Sequence, residues 1–487
     1  KKLGTNGKCI AVSHARRFGK SHAAGMIDAY YSLGSDSSKL FENTKIASDP
    51  DYEKYRNKYN VIHLDISSVW DYHKEDLIES IEERVCEDFQ KIYGDLLNYR
   101  RDFYLLIQDI YSLTGIPFVI IIDEWDCVIR NSHDQALVHK YLQFLHSLFK
   151  SEESKSFLAL GYITGILPIK KIKDESALNN FQEYTMLDSY PITEYYGFTE
   201  KEVKDLCKDY SMDFETVKAW YNGYLIDGEH MYNPNSVSQA LERHKIDSYW
   251  RNTSAFDTIN TFITMNYAGL KDDVMKMLTG GKVRINTNTF QNDFSIITSK
   301  DDALTALIHL GYLGYDADRK KSFIPNYEVA TAFELALQTG SWKEIAESIS
   351  KCDELLDETI DGNAERVAEL IELAHETYTS ILKYNDENVL SCVLTMAYFT
   401  APAYYNVIRE MPSGKGFADF VFLPRANAGN RPAMIIELKY NQSAETALKQ
   451  IKEKRYQGAL SGYQGKILLV GINYDSEKHH TCMIEEL

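Results

Sequence analysis

The chain has no apolar run approaching the roughly 20 residues that a membrane-crossing helix needs, and no secretion signal is visible at its start. The longest candidate, Phe157–Ile169, is short and is expected as a strand leading into a loop. The seven cysteines (Cys9, Cys86, Cys127, Cys207, Cys352, Cys392 and Cys482) are scattered, odd in number and never spaced C-x-x-C. That spacing argues against a disulfide framework or a zinc site and for a reducing, cytoplasmic setting. The thirteen histidines show no metal-binding spacing, and His479-His480 is expected as a solvated pair. Basic charge is also short: 53 Lys+Arg against 71 Asp+Glu leave a net charge of −18. A uniformly acidic surface repels nucleic acid. Phosphate contacts would therefore have to come from local clusters, such as Lys449, Lys452, Lys454 and Arg455, or Arg319–Lys321. The same clusters are equally well explained as solvated faces. There is no internal repeat and no low-complexity tract. The first residue is Lys1 rather than methionine, as expected of a truncated or processed N-terminus.

What is present is a globular composition. The 487 residues predict two to four domains, at about 100–200 residues per domain. Hydrophobic residues at 44% and aromatics at 12% supply ample material for buried cores and exclude wholesale disorder. Tyrosine is frequent, at 34 residues, and is read as large amphipathic packing material.

The most informative stretch is AMIIELKY, Ala433–Tyr440, together with GFAD at Gly416–Asp419. In a strand the pleat alternates faces. Met434, Ile436 and Leu438 then point into a core, while Glu437 and Lys439 share the other face with Ile435. Two charges on an otherwise apolar strand are costly unless paired. A divalent cation held by Asp419 and Glu437, with Lys439 beside it, is such a pairing, and suits phosphodiester cleavage. Glu-x-Lys alone equally describes an edge strand with a solvated ion pair. Around it, however, lie two strand-like runs in YYNVIREMPSGKGFADFVFLP, a helix over Ser443–Leu460 capped by Ser443, and a strand in KILLVGINYD.

A second signal opens the chain. KCIAVSHARRFGKS, Lys8–Ser21, predicts a strand, a tight loop, and Gly-Lys-Ser entering a helix. In a phosphate-binding loop, backbone N–H groups cradle phosphates, the lysine reaches the terminal phosphates and the hydroxyl binds magnesium. Those roles fall to Gly19, Lys20 and Ser21, although His14 stands at the first glycine position of the consensus. The partner motif is PFVIIIDEWD, an apolar run that suits a strand buried on both faces. Asp123 at its end would complete the Mg2+ shell and Glu124 would polarise a water. A buried strand followed by an acidic helix start is the simpler alternative.

Hairpin, strand, helix, strand with D…ExK resembles the PD-(D/E)XK nuclease core. That resemblance implies a role for Gln450 and Tyr456 in the helix motif and for Glu387 as an additional acidic residue. More broadly, VSHARRFGKS, IIIDEWD, YITGI, SALNNF, YYGFTEKEV, WYNGY, YNPNSV, YWRNTS, LGYLGYDADRKKSFIPNYEV and the terminal motifs resemble a prokaryotic family. Its members fuse an AAA-type ATPase-like domain to a C-terminal nuclease-like domain. The resemblance implies nucleotide contacts at Arg17 and a polar phosphate sensor at Thr164; a capped strand end explains Thr164 equally well. Members read R-P-R-R-F-G-K-S where Ser13–Ala15 differ here, and carry arginine where this chain has Phe417.

The expected fold is α/β throughout. An AAA-type P-loop ATPase-like domain with a parallel sheet spans 1–190, and a helical lid spans 191–252 with a Thr199–Glu202 capping box. A winged-helix-like module (253–335), a helical linker (336–385) and a PD-(D/E)XK nuclease-like domain (386–487) follow. The expected cofactors are ATP and Mg2+. The expected activity is ATP hydrolysis together with ATP-regulated, Mg-dependent cleavage of DNA, with RNA as second choice, in defence or mobile-element biology. The chain is expected off the membrane, and a homo-oligomer is compatible with it. Arg16, Arg17, Arg130 and Arg251 all remain open as an arginine finger. The rival is a nucleotide-switched binding or assembly protein with a silent nuclease core, and a weaker third option is a remodeller of mobile-element or phage DNA complexes.

Overall fold

A computed structural model describes residues 3–5, 7–94, 103–132, 134–169, 178–250, 253–265, 267–278, 280–290, 297–339, 351–382, 393–413, 416–425, 428–454, 460, 463–476 and 479–487. The chain splits into two compact units. The first comprises Lys1–Phe198, Leu225–Pro234 and Ile285–Lys320, and the second Thr199–Tyr224, Asn235–Arg284 and Lys321–Leu487.

The first unit is built on five strands: β1 (Cys9–Ser13), β2 (Asn60–Asp65), β3 (Phe118–Asp123), β4 (Leu158–Gly165) and β5 (Gln182–Thr185). Their order is β2-β3-β4-β1-β5, and every pairing is parallel. Phe118–Ile122 are all buried, because this central strand has covered faces on both sides. Phe118, Ile120 and Ile122 join a large core with Leu145, Leu148 and Phe157, while Val119 and Ile121 pack with Val12, Ala24 and Tyr162. Full burial of each such side chain contributes about 1.5–3 kcal/mol. Parallel pairing brings the carboxyl ends of β1 to β4 to one edge. Asp65 stands in register with Asp123, and Val12 with Thr164. Three helices begin at that edge: α1 (Lys20–Tyr31) after β1, the helix Ile66–Tyr72 after β2, and the short α2 (Cys127–Asn131) after β3.

In the second unit the C-terminal sheet contains β6 (Tyr405–Ser413), β7 (Gly416–Pro424), β8 (Ala433–Tyr440), β9 (Ile467–Tyr474) and β10 (His480–Glu486), paired in that order. All pairings are antiparallel except β8 with β9. Helix α3 (Ala364–Leu382) precedes the sheet, and α4 (Ala444–Glu453) links the parallel pair. Ser443 caps α4 by accepting the Thr446 N–H at 3.1 Å. Leu448 and Ile451 of α4 bury against Ala433, Ile435 and Leu469. The helix comes close because β9 carries Gly471, where a Cβ would lie 2.3 Å from the Ala444 carbonyl oxygen. The Thr199–Glu202 capping box is formed in this unit.

Candidate functional sites

At the strand edge of the first unit lies a cavity of about 580 Å³, lined among others by Arg17, Gly19, Lys20, Ser21, Asp123, Glu124 and Arg130. Gly19 ends the loop with φ 85°, a left-handed conformation that glycine adopts without a Cβ clash. Arg17 (φ 69°) and Glu124 (φ 53°) take the same region without that freedom. Such residues cost of order 1–3 kcal/mol each and cluster where function over-determines the backbone. Lys20 is buried and donates to the Ala15 carbonyl at 2.9 Å. Burial pulls its pKa down, while Glu124, Asp126 and Asp123 oppose that shift. Thr164 donates its hydroxyl hydrogen to Asp123 Oδ1, so the residue expected as a phosphate sensor holds the acid at the end of β3.

Glu124 does not stand alone. Arg130 Nη2 reaches its Oε2 at 2.6 Å, and Arg130 Nε reaches Asp126 Oδ2 at 2.9 Å. Asp126 is fully buried and also accepts the Ile166 and Leu167 N–H groups at 3.1 and 2.9 Å. It therefore ties α2 to the end of β4. Burial pushes the Glu124 carboxyl above its ordinary range, against the pull of Lys20 and Arg130. Sequence reasoning named Arg130 only as one of four arginines and passed over Asp126. The signal was the i, i+4 spacing of the pair at the start of a helix.

His14, at the first glycine position of the consensus, is buried behind the loop. Its Nε2 lies 2.9 Å from Ser189 Oγ, and its ring packs 5.3 Å from Tyr196. Asn233 of the YNPNSV motif donates to the Arg16 carbonyl at 3.4 Å. The first half of the loop is thus held by packing against residues 189–196 and 233, and the half that lines the cavity begins at Arg16.

The second site is in the C-terminal sheet. The β7–β8 pairing closes at Phe420↔Ile436, which puts Asp419 beside Glu437. Asp419 Oδ2 accepts the Leu438 N–H at 2.8 Å. Glu437 lies on the face covered by α4, and its side chain is 2% exposed. Its Oε1 accepts from Lys439 Nζ at 3.0 Å and from Gln450 Nε2. Its Oε2 is buried with no hydrogen-bond partner among the described residues. Burial, and then the charge of Asp419, push the Glu437 carboxyl up to about 7. The structure thus brings Asp419, Glu437, Lys439 and Gln450 together. Glu387, Tyr456, Arg455 and Arg251 lie outside the described residues. No group of three or more His, Cys, Asp or Glu side chains set to hold a metal occurs among the described residues.

Two surface expectations change. His479-His480 is not a solvated pair: strand alternation turns His480 inward, where its Nε2 meets His375 Nδ1 at 2.9 Å. On α4, Lys449 lies 3.8 Å from Glu453 and Lys452 pairs with Glu485, so that basic face is largely neutralised.

The family model "Predicted AAA-ATPase" matches residues 1–173, and that of the PD-(D/E)XK nuclease superfamily matches residues 385–484. The chain joins an AAA-ATPase-like domain to a C-terminal PD-(D/E)XK nuclease superfamily domain. A relative in Azotobacter chroococcum mcd 1, the "Uncharacterized protein in vnfD 5'region", is 24% identical over 251 residues. The match covers 50% of this chain and 46% of that protein, so the chain spans about half the length of this relative. Among solved structures, Cdc6p from Pyrobaculum aerophilum is similar at 8% identity and a TM-score of 0.25, covering 68% of this chain and 86% of that one. The Aeropyrum pernix ORC2 protein gives 10% identity and 0.23, with 68% and 89% covered. At such TM-scores neither likeness carries an argument, and the α/β fold rests on the strand order and the family matches. Among the described residues no helix is long and apolar enough to cross a membrane.

Proposed function

We propose that this protein binds ATP with Mg2+ in the first unit and cleaves phosphodiester bonds in nucleic acid, DNA before RNA, at the C-terminal sheet, under control of the nucleotide. The observation that carries the nuclease reading is the Glu437 carboxylate, buried beside Asp419, with one oxygen held by Lys439 and Gln450 and the other without a hydrogen-bond partner among the described residues. An orphaned buried oxygen next to a second acid fits a hard divalent cation. Mg2+ needs only one or two protein carboxylates and keeps waters on its remaining positions. Asp419 and Glu437 would hold it, and when bound it supplies Lewis acidity toward a phosphate oxygen and an activated water. Lys439 keeps positive charge at the same carboxylate, where it offsets charge developing on phosphate. Gln450 orients Glu437 from α4.

The ATP reading rests on the cavity at Gly19, Lys20 and Ser21, facing Asp123. Lys20 would meet the phosphates, Ser21 and Asp123 would hold the magnesium, and Thr164 keeps Asp123 in place. The division into domains at 190, 252, 335 and 385, a cytoplasmic setting and a role in defence or mobile-element biology belong to the same proposal.

A second reading is favoured by one contact. Glu124, the acid proposed to polarise water, is engaged by Arg130. A nucleotide-operated switch with slow turnover, controlling binding or assembly, accords with an acid so held.

The test is cleavage of a panel of DNA and RNA substrates by the purified chain with Mg2+ or Mn2+, with and without ATP. Lys439→Ala is expected to abolish cleavage and leave ATP binding intact; Lys20→Ala is expected to remove ATP binding and leave metal binding at Asp419 intact. Absence of cleavage on every substrate, together with absence of metal binding at Asp419, overturns the nuclease reading. A change of oligomer size with ATP, without cleavage, selects the switch.

A further inference from the structure

The two arms of the Arg130 clamp are unequal. Asp126 is fully buried, and its Oδ2 accepts from Arg130 Nε at 2.9 Å and from the Ile166 and Leu167 N–H groups at 3.1 and 2.9 Å. That arm is closed to water. Glu124 is 24% exposed, and among the described residues its carboxylate has one hydrogen-bond partner, Arg130 Nη2 at 2.6 Å. Arg130 Nη1 has no hydrogen-bond partner among the described residues. Arg130 and Glu124 both line the cavity formed at Gly19, Lys20 and Ser21, whereas Asp126 stands outside its lining.

A guanidinium presents its N–H groups as a planar fork that fits carboxylate and phosphate alike. Inside this cavity Glu124 therefore occupies a donor that a phosphate would also take. With Nε pinned to Asp126, the two Nη groups can change partner without loosening α2 from the end of β4. Arg16 and Arg17 line the same cavity, but of the three arginines only Arg130 is ion-paired with Glu124 among the described residues.

We propose that Arg130 is the triphosphate-sensing residue of this site and comes from the same chain: it keeps Asp126 and exchanges Glu124 for the terminal phosphate, on the ATP reading of the cavity, on which the inference rests. Glu124 is then released to face water only when a third phosphate is present. With a diphosphate the Arg130–Glu124 pair stays closed and the acid is idle. Recognition of the triphosphate and release of the acid become one event, and no neighbouring subunit is needed to supply the arginine.

The experiment is isothermal titration calorimetry of the full chain in Mg2+ with ADP and with a nonhydrolysable ATP analogue, the ratio of the two affinities being the readout. Arg130→Ala is expected to weaken the analogue about tenfold or more and ADP less than about twofold, as loss of one charge-assisted contact requires. Arg130→Lys keeps the charge without the fork and serves where the alanine variant does not fold. It should weaken the analogue severalfold with ADP unchanged. Glu124→Gln should tighten the analogue severalfold, and that gain should shrink in the Arg130→Lys background, because both changes act on one exchange. Mixing either Arg130 variant with excess Lys20→Ala chains, whose own site is expected not to bind ATP, should restore nothing. Equal losses on both nucleotides, or a Glu124→Gln gain that is the same in both backgrounds, overturn the exchange. Recovery on mixing overturns the same-chain origin. A parent that binds neither nucleotide overturns the ATP reading itself; a parent that binds both, with variants indistinguishable from it, overturns the exchange alone.

Discussion

Arg130 Nη2 lies 2.6 Å from Glu124 Oε2 while the same guanidinium holds Asp126 through Nε. One cation thus fixes both acids that follow Asp123, and the Asp126 end of the clamp is closed to water. Removing a partner from a buried pair leaves an uncompensated charge, which costs about 3–5 kcal/mol. Arg130→Ala is therefore expected to lower the urea midpoint by an amount equivalent to about 3 kcal/mol. Adding Asp126→Asn should recover part of that loss. A midpoint that does not move would show that the clamp contributes nothing to stability.

The Glu437 carboxyl titrates near 7 rather than in the ordinary range, because it is buried beside Asp419. A raised carboxyl favours the folded state most below its unfolded value near 4.5, and that advantage is lost as pH rises through about 7. Cation binding requires the ionised form. Mn2+ uptake at about pH 6 should thus release close to one proton per ion, and at about pH 8.5 almost none. Calorimetry in two buffers of different ionisation enthalpy measures this, and Glu437→Gln should remove both the proton and the heat. Equal proton release at the two pH values would exclude Glu437 as the titrating ligand.

Gly471 sits where α4 presses on β9, and a methyl group there would meet the Ala444 carbonyl oxygen at 2.3 Å and Leu448 Cγ at 3.1 Å. The backbone oxygen cannot move aside as a flexible side chain would. Gly471→Ala should cost about 1–3 kcal/mol by overpacking. It should also shift α4, loosening Gln450 from Glu437. Retention of full thermal stability would mean the helix stands further from the sheet.

Burial, with Lys20 and then His309 adding to it, pulls the His14 imidazole down to about 3. A depressed folded value means that the stability is fully present above the unfolded value near 6.5 and is lost as pH falls toward 3. Over that window the loss is of order several kcal/mol. His14→Gln, which keeps an amide for Ser189 and cannot titrate, should flatten the acid limb of a pH–stability curve. An unchanged slope would place the acid sensitivity elsewhere.

Several of these features could be read from the amino acids. Phe118–Ile122 announced a strand covered on both faces because five consecutive apolar side chains leave no solvent face. Glu437 and Lys439 were legible because alternation forces them onto the face of Ile435, where they need partners. The role of Arg130 was hidden, since Asp126 is held by backbone N–H groups of Ile166 and Leu167, about 40 residues away along the chain. His480 was misread as surface although the pleat separates neighbours: His479 stays outside while His480 pairs with His375, over 100 residues earlier. The units also interleave, with Leu225–Pro234 and Ile285–Lys320 returning to the first, and no shift in composition marks those crossings.

The β8–β9 register has a genetic corollary. Because a strand repeats every two residues, deleting or inserting one residue between Ala433 and Tyr440 exchanges its two sides for every position beyond the lesion. Glu437 would be turned toward the face that carries Tyr474 and His480, and Tyr440 toward α4. In this strand, reading-frame-preserving changes of length should thus be as damaging as loss of the acid itself, whereas conservative swaps among Met434, Ile436 and Leu438 should be tolerated.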